Sequence, residues 1–505
     1  MIRFVSFGLI RVNGWQFNAP HPNQPDMSTR TLRITLVIVL ALAVIGAVAA
    51  RRMLFAPGFH LGASGGDTRT LAAARPVWSD RFVSSVGIAT HFSYDDLLPY
   101  GHDRGKTISS LIASGARFLR DGLSVSVNGE SNEAYWGTMR MLTDSGMKLV
   151  LVTYPTRLGG SEVDPYPYKD QRPLDTAVAR VGARNILAFE GPNEVDNNNG
   201  NWGGLKTYGE WARTYQAAMY AHAKKLAPSI SVLGLTVTSA AGAKAVGDVS
   251  AISDAITLHP YPDGDVPTAH LGRMESDFAA LNAAKKPWWV TETGYHTSPN
   301  ATEALYQPGV SDIAQSKYVP RLYLDYFAAG VPYTSVYELI DEHDDKMNAE
   351  ANYGLMYYDG DPKPAYGALK NLLALLSDRG APFTPTSLDY TLTGATSTIR
   401  QSLFQKRDGR FYLVLWNDVP VYRPKAVTGL EGRVQKYWER VAGADKDVRD
   451  VFNSPVPVTL TLAKKARSMT LYAPLRGAAP MSVDSAASTL VVPVPDNPVV
   501  VEITP

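Results

Sequence analysis

Two folded regions are expected from this 505-residue chain: a (β/α)8 TIM barrel over residues 81–378, then an antiparallel β-sandwich over residues 379–505. Three observations lead there. In the first region, short and nearly continuous apolar runs alternate with helical stretches, the mark of parallel strands covered on both faces. Eight such units occupy about 290 residues, near the usual size of a closed barrel. Past Asp378 the helical spacing disappears, and β-type runs separated by Gly, Pro, Asp and Asn follow over roughly 125 residues. A doubly wound open sheet is the alternative for the first region, but no glycine-rich phosphate loop follows the first strand.

In chain order, residues 1–52 read as an export signal or membrane anchor. Residues 34–50 carry no charge and are apolar except for Thr35; Arg30 and Arg33 precede them, and Ala47-Val48-Ala49 resembles a signal-peptidase site. No polar face interrupts the run, which argues against a buried core helix. A cleaved signal peptide fits, and so does an uncleaved single-span anchor of marginal length. Arg51 and Arg52 follow the run, so the positive-inside rule does not choose between them. Met27 is a candidate start that would leave a compact signal. Both readings place the protein outside the cytoplasm: secreted, periplasmic or at the cell surface. Residues 53–80, rich in Gly, Ala and Arg, read as a linker.

Barrel strands are expected at residues 85–91, 116–120, 148–154, 185–190, 231–236, 255–259, 288–292 and 334–339. Helices are expected at 208–226, 277–285, 313–329 and 364–376, with Pro320 predicting a kink or a split in the third. Sandwich strands are expected at 411–416, 458–462, 469–472, 489–494 and 499–503, the last of them paired within the sandwich so that it anchors the C-terminus.

Composition narrows the function. A formal net charge of +1 provides no field for nucleic acid or an anionic membrane. The absence of cysteine excludes disulfides, thiolate catalysis and thiolate zinc sites. The nine histidines form no His-x-His or His-Glu-x-x-His pair, so neither metal nor cofactor is expected. Oligomeric state is left open.

In a barrel of this kind the reacting groups sit at the C-terminal ends of the strands. Strand two ends in Arg120, strand four leads through Glu190 to Asn193-Glu194, strand six ends in His259-Pro260-Tyr261, strand seven ends at Glu292, and strand eight at Tyr337-Glu338. Two carboxyl groups brought together this way suit glycosidic-bond hydrolysis, which needs one protonated and one ionised. Each residue also has a structural reading: Asn193-Glu194 as a turn or helix cap, Glu292 and Arg120 in ion pairs, His259 as a hydrogen-bonded core residue. Glu190 lies deeper on strand four and is expected to pair with Arg120. Trp202 either stacks on a sugar or covers the barrel edge.

Taken in strand order, these motifs resemble the clan A glycoside hydrolases, with residues 189–194 similar to family 39. Tyr353-Gly354-Leu355 and Asp359-Gly360-Asp361-Pro362-Lys363-Pro364-Ala365-Tyr366 resemble a passage after strand eight in families 5 and 39. The resemblance spans roughly residues 83–378 and implies a retaining mechanism, with Glu194 as acid/base and Glu292 as nucleophile. It implies substrate contacts from Arg120, Asn193, His259 and Tyr261, and a carbohydrate partner that is β-linked. On this reading Arg120 holds Glu292 ionised and Tyr261 orients it, while burial and the Glu292 charge raise the pKa of Glu194. Two departures stand out. Val195 follows Glu194 where Pro is usual, and Tyr337-Glu338 with Asp341 and Glu342 stands where relatives carry a Trp platform. These carboxylates are therefore expected in the mouth, bound to a polar or cationic sugar group, to a metal or to solvent, and Glu338 is placed among the substrate contacts. A transglycosylase on the same site and a non-catalytic carbohydrate-binding barrel are the alternatives.

Overall fold

The computed structural model describes residues 69–94, 98–101, 103–127, 130–153, 171–197, 207–301, 307–423 and 449–505. Trp202 and the apolar run at 34–50 lie outside them. Among the described residues no helix is long and apolar enough to cross a membrane.

The eight barrel strands are Val86–Ala89, Phe118–Gly122, Lys148–Val152, Ile186–Glu190, Ser231–Leu233, Ile256–Leu258, Trp288–Val290 and Thr334–Val336. Strands one to five are hydrogen-bonded in sequence order, strands six to eight continue back onto strand one, and a parallel bridge between Leu233 and Ala255 closes the ring. Successive side chains on a strand point to opposite faces. On strand three, Leu149 and Leu151 accordingly pack outward with the helices, while Val150 joins Phe118, Ala188, Leu233, Ala255 and Trp289 in a separate cluster. Phe118 is accommodated because residue 87 is glycine: a Cβ there would lie 2.2 Å from its ring. The same parity sends Arg120 and Glu190 to the side of Phe118 and Ala188, one step nearer the mouth.

The helices Tyr208–Leu226 and Pro364–Leu376 match the expected ones, and Asp312–Ala328 passes through Pro320 as one element rather than two. The helix expected at 277–285 is not formed. A helix at Leu271–Asp277 is followed by a 3-10 turn at Ala279–Leu281. Asn282 accounts for the stop. Its side chain accepts from the Lys286 amide at 2.8 Å and donates to the Lys286 carbonyl at 2.9 Å, in place of helical bonds.

The second region is a sandwich of two antiparallel-rich sheets. One holds Arg69–Ala72, Tyr390–Gly394, Val456–Leu462 and Thr489–Val494. The other holds Pro480–Ser485, Ser468–Tyr472, Val499–Thr504, Phe411–Asn417, Ile399–Gln405 and Val77–Trp78 in that order. The five expected strands are present, and the last lies inside its sheet, paired on both sides. The stretch read as a linker is corrected: residues 69–72 and 77–78 are sandwich strands, so the chain crosses the second region before entering the barrel. Phe411–Asn417 is buried along its whole length. Phe411, Leu413 and Leu415 face the sandwich core, and Tyr412, Val414 and Trp416 face the barrel helices.

At that junction Arg321, fully buried, donates to Asp418 Oδ1 at 2.6 Å, and Trp416 Nε1 donates to Asp325 Oδ1 at 3.2 Å. Burial and the Asp418 charge push Asp325 up to about 7, against Arg321, Arg400 and the Trp416 bond. A carboxyl whose folded pKa is raised stabilises the fold fully below its unfolded pKa, near 4, and loses that contribution as pH rises through the folded value. Asp325→Asn is therefore expected to stabilise the fold at pH 8, by at most about 4 kcal/mol, with a correspondingly higher melting temperature, and to change little at pH 4. Thermal melts at the two pH values check this; an equal effect at both would refute the titration.

Candidate active site

Arg120 is the centre of the barrel mouth. Its Nε and Nη2 donate to Glu190 at 2.9 and 3.0 Å, its Nη1 to Glu292 Oε2 at 2.8 Å, and its Nη2 also to Asn193 Oδ1 at 2.7 Å. Glu190 is fully buried, as expected for the deeper carboxylate. Asn193 gives its carbonyl oxygen to Arg120 and lines the cavity.

Past strand four the chain turns sharply. Gly191 passes so close to strand five that a Cβ would meet Gln216 Oε1 at 2.2 Å and the Leu235 backbone at 2.7 Å. Glu194 adopts φ 44°, a left-handed conformation that costs a non-glycine residue on the order of 1 kcal/mol. Thr236 holds it there, accepting from the Glu194 amide at 2.7 Å on Oγ1 and from the Val195 amide at 3.1 Å on its carbonyl.

Glu292 is held from two sides. Opposite Arg120, the Tyr261 hydroxyl donates to Oε1 at 2.5 Å. Burial, then the Glu292 charge, raise Tyr261 well above the usual phenol range, so it remains a donor. His259 joins the pair of glutamates: its Nδ1 lies 2.9 Å from Glu194 Oε1 and 3.9 Å from Glu292 Oε1, and its Nε2 lies 3.2 Å from Thr291 Oγ1. One ligand atom each of Glu194, His259 and Glu292 lie within 4.8 Å of one another.

The expected upward shift of Glu194 is corrected. Burial does push it up, as the largest single effect. The His259 hydrogen bond, the His259 charge and Arg120 together outweigh burial and hold it below the ordinary glutamate value. The converse holds for His259: burial pushes it down, but the charges of Glu292 and Glu194 and the Glu194 hydrogen bond raise it overall. The two groups are thus shifted in opposite directions, Glu194 down and His259 up.

The cavity at the mouth encloses about 300 Å³. Beyond the residues above, its walls are formed by Thr90, His91, Tyr94, Asp121, Tyr337, Glu342 and Glu350, among others. Tyr337, at the end of strand eight, lines the cavity. Glu338 turns behind it, with no exposure, and accepts from the Tyr100 hydroxyl at 3.0 Å. Its expected place on substrate is thereby corrected: burial, then the Glu342 charge, drive its carboxyl well above the ordinary range, and it does not line the cavity. Asp341 is also fully buried, in a 2.6 Å ion pair with Lys363. Only Glu342 of that acidic run reaches the cavity, 2.6 Å from His91 Nδ1. His91 was discoverable from sequence by the same strand-end criterion, because it closes the run at 85–91. Glu350 had no such signal; it comes from the loop after strand eight and meets the site through the Tyr337 hydroxyl, which donates to it at 3.0 Å.

Among the described residues, two groups have ligand atoms close enough to hold a cation: Glu194, His259 and Glu292, and His91, Glu338 and Glu342. In each, the histidine is already within hydrogen-bond distance of a glutamate.

No protein-family model matches this chain, and no curated protein matches its sequence. Solved structures do resemble it. A family 39 glycoside hydrolase from the gut symbiont Bacteroides cellulosilyticus is 17% identical, with a TM-score of 0.52 over 85% of this chain and 82% of that one. A glucosidase from Croceicoccus marinus is 12% identical, with a TM-score of 0.50 over 79% of this chain and 91% of that one. The resemblance to family 39 drawn from the strand-end motifs therefore extends to the fold.

Proposed function

We propose that this protein is a glycoside hydrolase that cleaves a β-linked oligo- or polysaccharide with retention of anomeric configuration, using Glu194 as acid/base and Glu292 as nucleophile. The observation that carries this reading is the approach of the two carboxyl groups, with an oxygen of each inside the 4.8 Å cluster around His259. Retaining enzymes place their carboxyls about 5–5.5 Å apart, whereas inverting enzymes leave roughly 6.5–9.5 Å for a water.

The residues then divide the work. Glu292, oriented by Arg120 and Tyr261, attacks the anomeric carbon and forms a glycosyl ester. Glu194 protonates the departing glycosidic oxygen, drawing on the proton it shares with His259 across 2.9 Å. In the second half, Glu194 takes a proton from water, which displaces Glu292 and releases the sugar. The Asn193 amide donates to the sugar 2-hydroxyl, a contact that strengthens in the transition state. Export through the apolar run at residues 34–50 belongs to the same proposal, since polymeric glycans lie outside the cytoplasm.

The test is the anomer released first. An aryl β-glycoside that the protein turns over, followed by proton NMR in the opening minutes, is expected to yield the β-anomer before mutarotation. An α-anomer would require an inverting mechanism and would sink the assignment.

A further inference from the structure

Resting on the glycosidase reading of this cavity, we propose that Glu342 and Glu350 determine specificity by reading the charge of the bound sugar: a protonated amino sugar is held best, a neutral sugar next, and a uronic acid is excluded.

The argument begins with what the cavity wall carries. Five carboxyl side chains line it: Asp121, Glu194, Glu292, Glu342 and Glu350. Against them, among the described residues, stand one guanidinium, Arg120, and the His91 imidazole, already 2.6 Å from Glu342, with no lysine. Arg120 is committed to Glu190, Glu292 and Asn193. Among the described residues the wall therefore offers no uncommitted cation to pair with a sugar carboxylate or sulfate, and a like charge brought against these groups is repelled.

Three of the five carboxyls already have work. Asp121 accepts from Thr90 Oγ1 at 2.6 Å and from the amides of Phe92 and Ser93 at 2.8 and 3.0 Å. Glu194 and Glu292 are the reacting pair. Glu342 and Glu350 remain, and each is held by one oxygen only: Glu342 Oε1 by His91 at 2.6 Å, Glu350 Oε1 by the Tyr337 hydroxyl at 3.0 Å. The other oxygen of each has no hydrogen-bond partner among the described residues. A single anchoring bond fixes such a carboxylate in direction while leaving acceptor positions for a ligand. Hydroxyls of a neutral ring satisfy them, and an ammonium does so with a stronger, charge-assisted bond. The unsatisfied polar character continues behind this wall. In the same His91–Glu342 cluster, Glu338 Oε1 is buried with no hydrogen-bond partner.

The experiment measures binding, so it does not depend on turnover. Burial, then the Glu292 charge, push Glu350 up to about 7, so the full chain is titrated calorimetrically with glucosamine, glucose and glucuronic acid, and with the three galacto counterparts, at low salt and at both pH 6.5 and pH 7.5, the higher value being where Glu350 is mostly ionised. Wild type is expected to bind the amino sugar about tenfold more tightly than the neutral sugar in at least one series, with no heat from the uronic acid. E342Q and E350Q, singly and combined, are expected to reduce the amino-sugar preference and to admit the uronic acid, while a neutral sugar changes less. The single variants retain the amide oxygen as acceptor, so that a folding failure of the double variant still leaves two readings. A uronic acid that binds as well as the amino sugar would overturn the proposal, as would a ranking unchanged by all three variants, or no binding in either series. Charge-ranked binding without turnover of any glycoside would retain this inference and reject the hydrolase reading. Preferred hydrolysis of uronides would do the reverse.

Discussion

Glu292→Ala is expected to reduce turnover of an activated aryl glycoside by roughly 10⁴-fold or more, the scale found when a member of a concerted catalytic unit is removed. The physical reason is covalent. Without that carboxylate nothing on its side of the ring can form the glycosyl ester, and the two easier steps become one difficult step. The substitution also opens a space beside Arg120 and Tyr261, both of which are built to hold an anion. Azide should enter it and restore turnover, giving a glycosyl azide of configuration opposite to the substrate. The corresponding experiment on Glu194→Ala should give a glycosyl azide of the same configuration, because the nucleophile survives and azide replaces water in the second step. Mass spectrometry of the enzyme treated with a 2-fluoro glycoside should find the label on Glu292. A label on Glu190 or Glu338, or near-normal turnover by Glu292→Ala, would overthrow the assignment.

Arg120→Met is expected to cost about 3–5 kcal/mol of stability as well as activity. Arg120 makes four hydrogen bonds in the mouth, and Glu190, at no exposure, depends on two of them. Taking away the cation leaves a buried carboxylate without its two charged hydrogen bonds and, among the described residues, with only the His259 ring nitrogen near it, at 4.0 Å, which is far more expensive than replacing both partners by apolar groups. The double substitution Arg120→Met with Glu190→Met should therefore recover most of the lost stability and none of the activity. Urea midpoints of the three proteins, measured beside wild type, decide the matter. A double variant no more stable than Arg120→Met alone would show that Glu190 is not the group that suffers.

These two expectations draw on features of very different visibility. The Arg120–Glu190 pair and the Tyr261–Glu292 bond were both legible in the sequence, because strand ends in a closed barrel converge on one mouth and side-chain parity says which residues face it. Glu338 shows the limit of that argument. It stands one residue past Tyr337, and only one of two neighbours can face the cavity; the structure gives that place to Tyr337. The two short strands at 69–72 and 77–78 were not legible either. Four- and two-residue runs carry no pattern, and their partners lie more than three hundred residues away.

The Glu194–His259 pair marks the same boundary from the side of electrostatics. Local sequence shows an acidic residue after an apolar strand, and burial alone would raise its pKa. What reverses the direction is a histidine 65 positions away whose ring nitrogen comes within 2.9 Å. By itself, the sequence determined the fold class, the strand order and some of the groups at the mouth, because hydrophobic period is a local property of the chain and strand ends in a closed barrel converge. Only the tertiary structure decided in which direction Glu194 is shifted, which carboxyls face the cavity and which are sealed behind it. Those outcomes depend on distances and desolvation between residues remote in sequence, and a few ångströms there are enough to reverse the sign.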